Sequence, residues 1–145
     1  MALRKEVVFL RLKELDVVIG QLAKYKEVRP VTVRSDLGQR WILERGLEAG
    51  SQLILEIADH ILSGYFGYYA ETYEDALVGL FENEVISEEL YLQIKGIGRL
   101  RNILVHRYVE IEPNLVFENF HKALMVFPLF AEEVIIWLDR EMKTG

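Results

Sequence analysis

Arg101-Asn-Ile-Leu-Val-His106-Arg-Tyr108 gathers an arginine, an amide, a histidine and a tyrosine within eight residues, and no other stretch of the chain does so. Arginine holds a phosphate-like anion through a planar fork of donors and stays charged at any relevant pH. An imidazole gives or takes a proton near neutral pH. The pair suits holding or cutting a phosphodiester. The stretch also lies in the most basic part of the chain: from Tyr91 to Ile111, Lys95, Arg99, Arg101 and Arg107 stand against Glu110 alone. Lys95, Arg99 and Asn102 are the candidates for supporting contacts to such an anion around Arg101. The plain alternative is a solvated helix face that carries Arg and His by chance.

On a straight helix Arg101 and Tyr108 share one line, and Asn102 and His106 share another. Val105 and Val109 form an apolar strip between the two lines. Arg101 and His106 lie about 140° apart round the axis, so they do not converge on one atom within one chain. A bend would bring them together. So would a second copy of the helix across a two-fold axis, with the apolar strip as the contact.

Other groupings are weaker. Glu118-Asn-Phe-His121 has the Glu-x-x-His spacing of di-iron bundles, but those need a second such pair and two more carboxylates. Glu56-Ile-Ala-Asp-His60 has the wrong spacing. His60 and His121 read as helix-face histidines, and the expectation is no metal and no cofactor. Nothing resembles a phosphate loop, a nucleophile elbow or a dinucleotide fingerprint.

The chain has 145 residues, 51% of them hydrophobic, which is enough for one domain, 1–145, with a proper core. A net charge of −6 means that any nucleic-acid contact must be local, because a general nucleic-acid binder would be basic. The absence of cysteine excludes disulfides, thiolate metal sites and a cysteine nucleophile, and it fits a reducing cytoplasm. No apolar run is long enough for a membrane span, and the N-terminus lacks the pattern of a signal peptide.

The positioning elements all read as helices. Val8, Leu12, Leu15, Ile19 and Leu22 recur at steps of three and four over a first helix of about 3–27. Pro30 and Val31-Thr-Val33 break that pattern. Ser35 or Asp36 caps a second helix reaching about Ser63, with Leu47, Gly50, Ile54, Ile57, Ala58 and Ile61 as its buried stripe. Gly46 and Gly50 would let a neighbouring helix come close. The aromatic segment 65–71 either packs on the bundle, the ordinary use of such rings, or offers a platform for bases. Thr72 opens a short helix. Ser87 caps a fourth, about 88–111, which carries the Arg–His stretch and bends near Gly96 and Gly98. Pro113 opens the last helix, whose face is Phe117, Phe120, Leu124, Phe127, Ala131, Val134 and Leu138, with a kink expected at Pro128. The fold expected is all-α, an up-and-down bundle of about five helices.

Arg101-Asn102-x-Leu104-Val105-His106-x-Tyr108 resembles the Arg-x4-His-x-Tyr signature of HEPN-domain proteins of the HepT type. Ala-Asp-His60-Ile-Leu and Thr72-Tyr-Glu-Asp-Ala agree with it, and the likeness covers most of the chain. The resemblance implies the toxin of a toxin–antitoxin pair, a homodimer whose partner is a minimal nucleotidyltransferase. It implies a metal-independent endoribonuclease with a composite site at the dimer interface. Arg101 would hold the scissile phosphate, His106 would act as general base or acid, and Asn102 would orient His106 or the phosphate. Tyr108 would accept AMP from the antitoxin. Two alternatives stand beside this reading. One is a non-catalytic helical module that pairs with the nucleotidyltransferase, and the other is a di-iron bundle.

Overall fold

The structure, a computed structural model, describes residues 4–106 and 111–144, without the side chains of 142–144. Seven helices are formed among the described residues: α1 (Lys5–Ala23), α2 (Pro30–Ser35), α3 (Leu37–Tyr65), α4 (Tyr73–Glu82), α5 (Glu88–Ile94), α6 (Ile97–His106) and α7 (Pro113–Thr144). The all-α reading holds, but the expected five helices become seven. Pro30 starts a helix where it was expected only to break one. At the first helical position its fixed φ and missing N–H cost nothing. The expected fourth helix is split in two at Lys95 and Gly96, and Gly96 has φ +93°, a value that L side chains rarely adopt.

α3 is the central post, packed against α1, α2, α4, α6 and α7. Its expected stripe is buried throughout, and Leu43, Ser51, Leu53, Leu55 and Leu62 are buried as well. A helix with that much of its circumference apolar belongs in the middle of a bundle. Val8, Leu12, Leu15 and Leu22 of α1 are buried as the periodicity predicts, and Ile19 is half-buried. In α7, Phe120, Phe127, Val134 and Leu138 are buried, joined by Ala123, Val126, Phe130 and Trp137. Phe117, Leu124 and Ala131 are only partly so, which turns the buried face slightly from the one predicted. The helical run continues across Pro128.

Two helix starts carry the side-chain caps read from the sequence, and Thr72, read as the start of a short helix, supplies a third. Asp36 Oδ1 accepts from Gln39 N at 3.0 Å, Thr72 Oγ1 from Asp75 N at 3.0 Å, and Ser87 Oγ from Leu90 N at 3.1 Å. Ser87 does more than cap α5. Its backbone N–H donates to Glu133 Oε1 at 2.6 Å and its hydroxyl lies 3.0 Å from Glu133 Oε2, which ties α5 to α7. Ser87→Ala should therefore lower stability by about 1–2 kcal/mol, the upper range for a lost cap, as read by urea denaturation.

The aromatic segment divides in two. Tyr65 and Phe66 pack on Trp137 of α7, with ring centroids 5.0 and 5.9 Å away. The Tyr65 hydroxyl donates to Glu141 Oε2 at 3.0 Å, and this bond pushes its pKa above the usual tyrosine value. Tyr68 and Tyr69 are exposed. No helix among the described residues is long and apolar enough to cross a membrane.

Candidate active site

α6 packs on α3, and two contacts fix its first turn against the start of α4. The Gly96 N–H donates to both carboxylate oxygens of Glu74, at 3.0 and 3.1 Å. Gly98 is buried against Tyr73, where an added Cβ would lie 2.6 Å from the Tyr73 Cβ. Only a residue without a side chain lets the two backbones come this close. The Gly96 carbonyl then accepts from Leu100 N at 3.0 Å and opens the helix.

Arg101 is one turn further along α6. Its guanidinium spans three elements. Nε donates to Gln52 Oε1 of α3 at 2.7 Å, and Nη1 donates to Asn102 Oδ1 at 3.1 Å. Its Cζ lies 5.7 Å from the centre of the Tyr73 ring, in reach of a cation–π attraction. No described residue bonds to Nη2. Arg101 and Val105, one turn apart, line a groove of about 510 Å³ with Glu14, Arg45, Glu48, Gln52, Leu53 and Glu56.

A second cavity, of about 710 Å³, opens on the other side of Gln52. Asn102, Arg99 and Tyr73 line it, with the carboxylates of Glu56, Asp59, Glu71 and Glu74. Asn102 thus joins Arg101 to the face that carries Arg99. Lys95 is placed apart. It borders a smaller cavity with Asn119, Lys122 and Phe127, on the α7 side of the chain. His106 ends α6, is exposed, and makes no hydrogen bond among the described residues. Tyr108 and Val109 lie outside the described residues, as does Arg107.

The two other histidines are engaged structurally. His60 Nε2 accepts from Arg4 N at 3.3 Å, at the start of α1. His121 packs edge-on against Phe117 and Phe120. Among the described residues no group of three or more His, Asp or Glu side chains is placed to hold a metal ion.

Gln52, Tyr73 and Glu74 were not singled out as site residues from the sequence. Glu74 and Tyr73 stand inside the Thr72-Tyr-Glu-Asp-Ala string that carried the resemblance, so a signal for them existed. Gln52 lies 49 positions from Arg101 and has no local signature.

Comparison with known proteins gives this geometry a setting. Residues 15–134 match the family model described as "Ribonuclease HepT-like". A protein of Aphanizomenon flos-aquae, the "tRNA nuclease HepT", is 31% identical over 138 residues, covering 93% of this chain and 94% of that protein. Among solved structures, the tri-AMPylated HEPN toxin of Shewanella oneidensis, in complex with an MNT antitoxin, superposes with a TM-score of 0.80. It is 19% identical and covers 92% of this chain and 99% of that one. The Bacillus subtilis cytosolic protein YutE, of unknown function, superposes at 0.78 with 19% identity, over 97% of this chain and 95% of that one. At such identities the structures share the fold alone. The family match over most of the length and the 31% relative go further: this chain belongs to the HepT-like ribonuclease family.

Proposed function

We propose that this chain is the toxin of a toxin–antitoxin pair and cleaves RNA as a metal-independent endoribonuclease. The observation that carries the reading is the state of Arg101. Its guanidinium is fixed on one side by Gln52 and Asn102, and Nη2 is unbonded among the described residues. A fixed, pre-aimed cation is what a developing phosphoryl charge needs.

In the proposed reaction Arg101 holds the scissile phosphate. His106 takes the proton of the ribose 2′-hydroxyl, and the 2′-oxygen forms a bond to phosphorus. The bond from phosphorus to the 5′-oxygen breaks. The departing oxygen takes its proton from the second histidine that a symmetric dimer supplies. The nucleophile comes from the substrate, so no metal, serine or cysteine is required. Asn102 orients Arg101, and the exposed Arg99 extends the basic surface. Lys95, further off, would meet RNA only beyond the scissile position. Transfer RNA is the substrate class to try first, because the Aphanizomenon relative is a tRNA nuclease.

The partner proposed is a minimal nucleotidyltransferase, as in the Shewanella complex with its MNT antitoxin. AMP transferred to Tyr108, two residues beyond His106, would add bulk and negative charge at the RNA cleft and silence the toxin.

One observation favours a second reading, a non-catalytic module that pairs with the nucleotidyltransferase. Glu14, Glu48 and Glu56 share the groove with Arg101 and oppose a phosphate there. The product ends separate the two. Cleavage of a transfer RNA pool should leave 2′,3′-cyclic phosphates and 5′-hydroxyls, and a stable complex with no cleavage would favour the module.

A further inference from the structure

Gln52 sits midway along α3, opposite Arg101, and both ends of its amide are engaged. Oε1 accepts from Arg101 Nε at 2.7 Å, and Nε2 donates to Glu56 Oε1 at 3.2 Å. A carboxylate can only accept, so Glu56 dictates which end of the amide turns toward the arginine. Flipping the amide would set two donors against the guanidinium and an oxygen against the carboxylate. Glu56 is itself held, with its Oε2 lying 3.3 Å from Arg11 Nε, and Arg11 Nη1 donates to Glu14 Oε1 at 2.9 Å. One row of alternating donors and acceptors thus runs from α6 through α3 to α1.

The chemistry of the acceptor matters as much as its position. A carboxylate at 52 would take the Nε hydrogen bond at least as strongly. It would also cancel the charge that a phosphate must meet. An amide accepts the same bond and carries no charge.

We propose that Gln52 is a positioning residue for Arg101. It is a neutral acceptor that sets the direction of the guanidinium without quenching it, and its own direction is imposed by Glu56. This rests on the reading of Arg101 as the phosphate-holding residue. A half-buried glutamine that merely filled space would be replaceable by leucine or glutamate without effect on the arginine.

The test separates charge from direction. Gln52→Glu and the parent are compared, both carrying His106→Ala, for binding a short fluorescent single-stranded RNA over a range of salt. The glutamate variant should fold, with a thermal midpoint slightly lowered by the like charge of Glu56 one turn away, and bind about tenfold more weakly. Its log Kd against log salt should be shallower by about 0.7, the mark of one lost phosphate contact. Gln52→Leu, with His106 intact, keeps the charge but frees its direction. Its kcat should fall about tenfold or more, with KM and thermal midpoint close to the parent's. A Gln52→Glu protein with the parent's affinity and slope would overturn the proposal, as would a Gln52→Leu protein with the parent's kcat. If the parent cleaves no RNA, the ribonuclease reading fails, and the salt slope still decides the role of Gln52.

Discussion

Arg101→Ala should slow single-turnover RNA cleavage by a factor of about 10²–10³, the usual loss when one donor to a developing oxyanion is removed. Arg101→Lys should recover little of it. Gln52 takes Nε and Asn102 takes Nη1, so the guanidinium is clamped as a plane. An ammonium is a point charge on a flexible stem and cannot be clamped while still presenting a second donor. The side chain is half-exposed, so its removal should leave the fold in place. The thermal midpoint serves as the control. An Arg101→Ala protein that cleaves within threefold of the parent would remove the arginine from the chemistry.

The second large effect is on stability. Gly50→Val should destabilise the protein by about 3 kcal/mol, the upper end for overpacking a tight core. For a domain of this size that lowers the thermal midpoint by about 6–12 °C. A Cβ at Gly50 would overlap the Phe127 ring, where α3 and α7 cross in the centre of the bundle. Phe127 is itself buried and has no room to swing aside. Gly50→Ala should cost less, because the methyl is smaller and helix propensity returns about 0.8–1 kcal/mol. An unchanged midpoint for Gly50→Val would mean that the helices part freely at this crossing.

These effects show which parts of the molecule could be read from the sequence. Caps are local devices: Asp36, Thr72 and Ser87 each bond an amide three residues on, so their residue types were enough to place them. The small residues of α3 were legible as a close approach, and Gly46 and Gly50 do face Leu22 and Phe127. The bend before Arg99 was legible as well, but its extent was not, because a glycine pair does not say whether a helix bends or breaks. Here Gly96 takes a positive φ and the helix breaks. Pro30 is ambiguous in the sequence because proline both ends helices and begins them, and here it begins α2. Arg101 and His106 could be singled out as candidates from spacing and type alone. The partners of Arg101 could not, since Gln52 and Tyr73 come from other helices and meet it only through packing. The split of the aromatic segment was hidden for the same reason: Trp137, which draws in Tyr65 and Phe66, is about seventy residues away.

In the proposed reaction His106 moves a proton in a cleavage that needs no metal. The most direct measurement is RNA cleavage by the purified parent and by His106→Ala, side by side in EDTA, after mass spectrometry confirms an unmodified Tyr108. The parent should cleave in chelator, and the variant should lose about 10²–10⁴ in rate, the range for a removed general acid–base. A His106→Ala protein as active as the parent, or a parent active only with added metal, would contradict that reaction.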